Sequence, residues 1–369
     1  MKLNDLLKNM VETKASDLYL TVDASPLFRI DGELKQNQQR LSHTDILTLL
    51  SQMLGESELE AFKRTKEANF AIANQYGRFR VSAFYQRELA TAVVRRIESQ
   101  IPTFETLGLP DVLQDLSIAK RGLVLIVGAT GSGKSSTLAA MVGYRNEHRT
   151  GHILTVEDPI EFVHQHKKCL ISQREIGLDT ESYSVALKNS LRQAPDVIVI
   201  GEIRTRETME YALQFAETGH LCMATLHANN AHQALERILH LIPEDQKKQL
   251  LFDLSNNLRG VLGQQLVRKR EGKGRHGVFE VLLNSPRVSE LIQRGELHKI
   301  KQTMASSKDV GMQTFDQALY TLVTAEKISE SDALSCADSA NDLRIMLKRN
   351  QPTECQKSSS LANIKIDMN

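Results

Sequence analysis

The chain has 369 residues, of which 41% are hydrophobic and 25% are charged; this length predicts two globular domains with appendages, and the composition excludes a largely disordered protein. Lysines and arginines number 46 and aspartates and glutamates 45, so no overall charge directs the chain toward nucleic acid or an anionic membrane. The four cysteines form no C-x-x-C pair, which argues against a zinc ribbon or a redox motif and favours reduced thiols in the cytosol.

The N-terminal part of the chain is predicted to form a small α+β domain. Residues 1–14 place apolar side chains at helical spacing among charges, which indicates an amphipathic helix and not a signal peptide. Short strand patterns then continue to residue 97, interrupted by a helical pattern over 42–63. We assign residues 1–97 to this domain and residues 98–110 to a linker. No apolar run approaches the thickness of a bilayer, so we expect no transmembrane segment.

The remainder of the chain, residues 111–348, is predicted to be an α/β domain with a helical C-terminal part. Its first half alternates helical patterns with continuous apolar runs, which is typical of buried parallel strands in a doubly wound sheet. Residues from Pro243 to about Lys348 are expected to form helices. The basic stretch 268–275 is interpreted as a solvated turn and not as a nucleic-acid patch. Residues 349–369 are polar and predict a disordered tail.

A glycine-rich motif, GATGSGKS, follows the apolar strand 122–127 and precedes a helical pattern, which is the context that a P-loop requires. Its glycines allow backbone N–H groups to surround phosphate oxygens, and the helix N-terminus adds positive potential. Lys134 is expected to contact the β- and γ-phosphates and Ser135 a magnesium ion. The predicted nucleotide-binding residues of this motif are Gly128, Ala129, Thr130, Gly131, Ser132, Gly133, Lys134, Ser135 and Ser136.

Carboxylates end two of the predicted strands. Glu202 follows the run 196–201, where it can hold the magnesium shell or polarise water, although a carboxylate at such a place often caps a helix. The segment TVEDPIE, residues 155–161, ends a second strand with three carboxylates, those of Glu157, Asp158 and Glu161. Hydrolysis needs one of them to orient or deprotonate water, and an acidic turn that caps a helix is the alternative interpretation.

Two histidines bound the predicted strand between residues 220 and 227. They lie on opposite faces and more than about 20 Å apart at about 3.3 Å per residue, so His220 and His227 cannot share a metal ion. A single histidine at a strand end is usually structural. His227, however, is at the carboxyl end, where a neutral imidazole can hydrogen-bond to a γ-phosphate.

An arginine-bearing face is predicted in the N-terminal domain. Along GRFRVSAF, Arg78 and Arg80 share one face while Phe79 and Val81 share the other. Such a face is usually solvated surface. Because no arginine beside the P-loop is evident from the sequence, an arginine supplied in trans is the functional alternative. Arg95, on the next strand pattern, is a further candidate.

Four motifs together resemble a known series. GATGSGKS, TVEDPIEF, DVIVIGEIR and TGHLCMATLHAN are similar to the Walker A, Asp-box, Walker B and His-box series of the secretion ATPase superfamily, and residues 1–97 resemble its N-terminal PAS-like domain. The C-terminal domain lacks the tetracysteine zinc motif of the extension and type II secretion branches. This points to the PilT/PilU family of type IV pilus retraction ATPases. Residues 287–292 keep only the final Leu-Ile of the PilT motif Ala-Ile-Arg-Asn-Leu-Ile, so the PilU type is favoured.

This resemblance implies a PAS-like domain followed by a RecA-like ATPase domain, in a hexameric ring that binds ATP and Mg²⁺ between subunits. It implies a cytoplasmic protein at the inner face of the membrane, where it assists a PilT-type ring and contacts the inner-membrane pilus platform protein; no nucleic-acid partner is expected. A primary PilT-type motor, an ATP-binding scaffold and a DNA-transfer ATPase remain alternatives. By resemblance, the catalytic glutamate is Glu161, the Walker B magnesium residue is Glu202, the His-box residues are His220 and His227, and the interface arginines are Arg78, Arg80 and Arg95.

Overall fold

The structure is a computed structural model, and it describes residues 2–30, 33–36, 40–97, 100–307 and 311–349. Apart from Arg349, the predicted tail lies outside the described residues. The described strands form two sheets, one of six strands and one of seven. The prediction of an N-terminal α+β domain followed by a RecA-like α/β domain is therefore confirmed.

The N-terminal domain is an antiparallel sheet covered by helices on one side. Its strand order is β3-β2-β1-β6-β5-β4. Phe79 and Val81 of β5 are fully buried in the N-terminal core, whereas Arg78 and Arg80 project from the opposite face. The alternation predicted for this strand is confirmed. The elements are α1 (Leu3–Glu12), β1 (Asp17–Leu20), β2 (Leu27–Ile30), β3 (Glu33–Gln36), α2 (His43–Ser51), α3 (Glu56–Thr65), β4 (Glu67–Asn74), β5 (Gly77–Gln86) and β6 (Leu89–Ile97).

The second half of the predicted linker packs on the ATPase domain. It contains the short helix α4 (Phe104–Leu107), which precedes α5 (Val112–Ser117). Phe104 is buried in the core beneath the ATPase sheet, and its ring centroid lies 5.1 Å from that of Tyr144. This part of the connection therefore belongs to the surface of the second domain.

The ATPase domain is built on a sheet of order β13-β12-β7-β11-β10-β8-β9, in which every neighbouring pair is parallel except β12 and β13. Every residue of β7, β10 and β11 is buried, as expected for central strands covered on both faces. Its elements up to residue 257 are β7 (Gly122–Val127), α6 (Lys134–His148), β8 (Gly151–Glu157), β9 (Cys169–Glu175), α7 (Tyr183–Ser190), β10 (Val197–Ile200), α8 (Arg206–Glu217), β11 (Leu221–Leu226), α9 (Ala231–Leu241) and α10 (Lys247–Asn257).

The prediction of helices alone after residue 243 is wrong for one part of this segment. Residues 258–283 form an antiparallel hairpin that extends the sheet beside β7. Glycines and two glutamines interrupt the apolar pattern of its first strand, which conceals the strand from a sequence-based interpretation. The elements are β12 (Leu258–Arg268), β13 (Arg275–Leu283), α11 (Pro286–Gln293), α12 (Ile300–Ser306), α13 (Phe315–Thr324), α14 (Glu330–Cys336) and α15 (Ala340–Arg349). Across the described ranges, none of these helices combines the length and the apolarity needed to cross a membrane.

Candidate nucleotide-binding site

The carboxyl ends of β7, β8, β10 and β11 meet around a cavity of about 480 Å³. Its walls contain most of the P-loop together with the acidic strand ends and two histidines, His164 and His227. Parallel strands deliver the loops that follow them to the same side of the sheet, which explains how Thr130 and His227, distant in the sequence, converge here. The predicted site residues that line the cavity are Thr130, Gly131, Gly133, Lys134, Ser135, Ser136, Glu161, Glu202 and His227.

The P-loop conformation depends on its glycines. Gly131 and Gly133 have φ angles of 76° and 93°, in the region that side-chain-bearing residues rarely adopt. At Gly128 a Cβ atom would lie 2.4 Å from Ser132 Oγ and 2.5 Å from the carbonyl oxygen of Gln264. The loop can therefore close into a phosphate-sized turn only without side chains at these positions.

Lys134 is the first residue of α6, and it is 8% exposed. Its ammonium group donates hydrogen bonds to the carbonyl oxygens of Gly128 at 2.9 Å and Ala129 at 3.0 Å. Burial lowers the pKa of Lys134, and the nearby carboxylates of Glu202 and Glu161 oppose this effect. The only side-chain cation of the P-loop is thus held inside the loop and faces the acidic wall.

Glu202 lies between a histidine and an arginine. Its Oε1 atom is 3.1 Å from His227 Nε2, and its Oε2 atom is 2.6 Å from Arg204 Nη2. Burial and the positive charge of Lys134 lower the pKa of His227. A neutral imidazole with its proton on Nε2 can donate to Glu202, so the pair fixes the orientation of His227 in the cavity wall.

The carboxyl end of β8 adds a partly buried carboxylate, that of Glu157. Glu157 accepts hydrogen bonds from Thr155 Oγ1 at 2.7 Å and Gln173 Nε2 at 3.1 Å. Burial raises the pKa of Glu157 despite these hydrogen bonds. Glu161, by contrast, is exposed and lines the cavity. Both glutamates line the cavity, and Glu161 is the more exposed of the two.

The site fits a magnesium nucleotide by its own chemistry. The hydroxyl of Ser135 and the carboxylate of Glu202 line the cavity together and are the oxygen ligands that Mg²⁺ prefers. Ser132 Oγ is buried and has no hydrogen-bond partner among the residues that the structure describes. A buried hydroxyl without a partner within the phosphate loop is suited to an additional acceptor such as a phosphate oxygen.

Four predicted residues lie beside the cavity or away from it. Gly128 and Ala129 form the back of the P-loop, in a neighbouring cleft that also contains Arg237. Ser132 lies in a third cleft, opposite the segment 335–338. His220 precedes β11 at the other edge of the sheet, where its ring contacts Thr218 and Phe215. The structure therefore brings His227 into the site and separates His220 from it.

The predicted arginines form a second group at one end of the paired strands β5 and β6 in the N-terminal sheet. Arg78 Nη2 lies 3.6 Å from Glu175 Oε2, and Arg95 Nε donates to Asp17 Oδ1 at 2.8 Å. Arg80 is directly opposite Arg95 in the strand register. Within the described ranges, none of these three arginines lines the cavity of its own chain. The hydrogen bond to Asp17 raises the pKa of Arg95, and the negative charge of Glu161 adds to the shift.

Two arginines of the cavity wall were not predicted. Arg204 follows Glu202 by two residues, and Arg275 begins β13. Arg204 had a sequence signal, because it is the last residue of the motif DVIVIGEIR. Arg275 had none, since it belongs to the basic stretch that was interpreted as a solvated turn. A cis arginine is therefore available beside the P-loop, contrary to the expectation from the sequence.

This fold and this cavity define a P-loop nucleotide-binding protein with a RecA-like domain. The chain belongs to the type II/IV secretion system protein family, which matches residues 1–330. The type IV pilus ATPase PilU of Pseudomonas aeruginosa is 54% identical over 363 residues, which are 98% of this chain and 95% of PilU. The type IV pilus retraction ATPase PilT of the same organism is 39% identical over 335 residues, 90% of this chain and 97% of PilT.

A solved structure agrees with this family assignment. The crystal structure of the pilus retraction motor PilT with bound ADP has a TM-score of 0.88 and 38% sequence identity to this chain; the match covers 94% of this chain and 99% of that one. The resemblance to the PilT/PilU family is confirmed, and the identity to PilU exceeds that to PilT.

Proposed function

We propose that this protein is a magnesium-dependent ATPase motor that assists the retraction of type IV pili and supports twitching motility. One observation carries the proposal: the Lys134 phosphate loop shares a single cavity with Glu161, Glu202 and His227. The names of its relatives supply the process, because PilU and PilT are both type IV pilus ATPases.

The cavity residues have separate tasks in ATP hydrolysis. The P-loop N–H groups and Lys134 bind the β- and γ-phosphates and stabilise the negative charge that develops during transfer. Glu161 orients the attacking water and accepts its proton, a role that suits an exposed carboxylate. Glu202 orients His227 in the wall beside the γ-phosphate through the contact at Nε2. Ser135 and Glu202 would hold Mg²⁺, which neutralises phosphate charge when it is bound.

The proposed assembly is a homohexameric ring with nucleotide sites between subunits. The arginine-bearing face of β5 and β6 supports this, because it presents Arg78, Arg80 and Arg95 outside the chain's own cavity. An arginine that reaches a γ-phosphate in trans stabilises the transition state. The ring would work in the cytoplasm, at the inner face of the membrane. Its partners would be a PilT-type ring and the pilus platform protein.

The test combines purified protein with complementation of a deletion. Purified wild-type chain is expected to hydrolyse ATP only with Mg²⁺, and expression of the gene is expected to restore twitching to a strain that lacks it but retains its PilT paralogue. Lys134→Ala is expected to restore neither. Restoration of twitching by Lys134→Ala would support the ATP-binding scaffold instead. Unaltered twitching after deletion together with salt-dependent DNA binding would support a DNA-transfer ATPase.

A comparison of single deletions separates the two motor roles. If this protein is an accessory motor, deletion of the PilT paralogue is expected to abolish retraction, and deletion of this protein is expected only to weaken it. Abolition of retraction by loss of this protein alone would identify it as the primary motor.

A further inference from the structure

Gln264 lies directly beneath the phosphate loop. It belongs to β12, the strand next to β7, and its side chain is 3% exposed. Its Oε1 atom accepts a hydrogen bond of 2.7 Å from Thr137 Oγ1 on the first turn of α6. Thr137 is fully buried, so this contact joins two interior residues that are 127 positions apart in the chain.

The same glutamine limits the space around the loop. A Cβ atom at Gly133, the residue before Lys134, would lie 2.7 Å from Gln264 Nε2. A Cβ atom at Gly128 would lie 2.5 Å from the backbone oxygen of Gln264. Gln264 thus touches both ends of the P-loop, with its side chain at one end and its backbone at the other.

β12, the strand that contains Gln264, also packs against the C-terminal helices, on the side away from the phosphate loop. A Cβ atom at the preceding residue, Gly263, would lie 3.0 Å from the Phe315 ring. Phe315 is fully buried and is the first residue of α13. β12 is therefore packed between the phosphate loop and the C-terminal helices, with little room on either side.

We propose that Gln264 is a positioning residue for nucleotide binding, which acts by fixing the P-loop through Thr137 and Gly133. This inference rests on the proposed ATPase function. The hydrogen bond to Thr137 sets the start of α6, and the amide beneath Gly133 sets the backbone that presents Lys134. An apolar side chain of similar volume fills the same space, but it lacks the directional contact that holds Thr137 in one orientation.

The test compares adjacent glutamines of the same strand. Gln264→Met removes the hydrogen bond and keeps the volume, whereas Gln265→Met makes the same change on the opposite face of β12. Affinity for Mg-ATP is measured by direct binding, together with KM, kcat and the thermal unfolding temperature. Gln264→Met is expected to raise Kd and KM about tenfold, as for the loss of one net hydrogen bond. We expect kcat to change little, and Gln265→Met to bind like the wild type.

A double variant separates positioning from general stability. Thr137→Val combined with Gln264→Met replaces both partners by apolar groups, which returns stability toward that of the wild type. The proposal requires Mg-ATP binding to remain weak in this variant. Recovery of affinity together with stability would make Gln264 a purely structural residue and overturn the proposal.

Two further outcomes are decisive. Unchanged affinity in folded Gln264→Met, or an equal loss in Gln265→Met, overturns the inference. Should Gln264→Met not fold, Gln264→Glu keeps the shape and the acceptor but places a carboxylate beneath the phosphates; weaker Mg-ATP binding is then expected, and wild-type binding overturns the proposal. A wild-type chain that binds Mg-ATP without hydrolysing it contradicts the proposed ATPase function while the binding comparison still decides the role of Gln264.

Discussion

Arg78 Nη2 lies 3.6 Å from Glu175 Oε2 and so links the N-terminal sheet to the ATPase domain of the same chain. Glu175 is buried, and its Oε2 atom also accepts the backbone N–H of Ile160 at 3.3 Å. Ile160 immediately precedes Glu161, the proposed catalytic glutamate. The arginine-bearing face is therefore connected to the catalytic segment of its own chain before any neighbouring subunit is considered.

This contact makes the source of the catalytic arginine testable. Arg78→Ala is expected to reduce turnover by about 10³-fold or more if its guanidinium reaches a γ-phosphate. Rings mixed from Arg78→Ala and Lys134→Ala subunits are expected to regain part of the activity, because some interfaces then contain both intact elements. Turnover of such mixed rings is the measurement, with each variant alone as the baseline.

The control for this experiment is Arg64→Ala, which removes an exposed arginine of α3. It is expected to leave turnover unchanged. Failure of rescue in rings shown to be mixed would mean that Arg78 acts within its own chain, through Glu175. The same pair of experiments can be repeated with Arg80→Ala and Arg95→Ala.

Replacement of Lys134 is expected to abolish ATP turnover. The alanine variant loses the cation that faces the phosphates and the two hydrogen bonds to Gly128 and Ala129. Both losses weaken the stabilisation of a highly charged transition state. Phosphate release from purified protein is the measurement, and Lys120→Ala, on the exposed far side of the domain, is the matched control. Wild-type turnover by Lys134→Ala would show that the activity belongs to another site or another protein.

Substitutions of Glu161 and of Glu202 are expected to impair different steps of ATP hydrolysis. Glu161→Gln should retain Mg-ATP binding and lose about 10²-fold or more in kcat, because the amide cannot accept a proton from water. Glu202→Gln should weaken Mg²⁺ binding, so that turnover needs a higher Mg²⁺ concentration, and it should remove the carboxylate partner of Arg204 and His227. Nucleotide affinity and turnover are measured on the same preparation over a series of Mg²⁺ concentrations. Full turnover by Glu161→Gln would remove this residue from the catalytic role.

The protonation of Glu280 is expected to make the stability of the folded protein depend on pH. Burial raises the pKa of Glu280 to about 8, although its carboxyl accepts the N–H of Ala231 at the start of α9. Asp316, Asp338 and Lys301 are the charged neighbours. Between pH 4.5 and about 8 the folded state keeps a proton that the unfolded state releases, so this group lowers the free energy of unfolding as the pH rises.

Glu280→Gln removes this titration and keeps an acceptor for Ala231. Relative to the wild type, the variant is expected to gain stability as the pH rises from 5 to 8, by a few kcal/mol at most, since one pKa unit corresponds to about 1.4 kcal/mol. Thermal unfolding of both proteins at pH 5 and pH 8 measures the difference. A constant difference between the two proteins would show that Glu280 does not change its protonation in this range.

The central strands of the ATPase sheet could be predicted because each of them is a continuous run of apolar residues. β7, β10 and β11 are buried on both faces, so each reads as a continuous apolar run. β12 was missed because Gly260, Gly263 and Gln264 occupy positions that are equally buried, where packing against neighbours replaces a hydrophobic side chain. The local hydrophobic pattern of a strand cannot show which side chains from other elements will pack against such positions.

The same limit applies to the site. Lys134, Glu202 and His227 could be placed together because each follows the carboxyl end of a predicted parallel strand. Arg275 reaches the cavity through a hairpin that was not predicted, and Gln264 lies beneath the P-loop for the same reason. His220 belongs to the same motif as His227, yet the length of β11 places it at the far edge of the sheet.

The burial of Phe104 in the ATPase core has a mechanical consequence. Only seven peptide units separate Ile97, the end of the N-terminal sheet, from this anchored aromatic residue. A fully extended chain of that length reaches about 25 Å. The tether therefore limits how far the two domains of one chain can move apart. In the proposed ring, a larger displacement would require several subunits that act in turn.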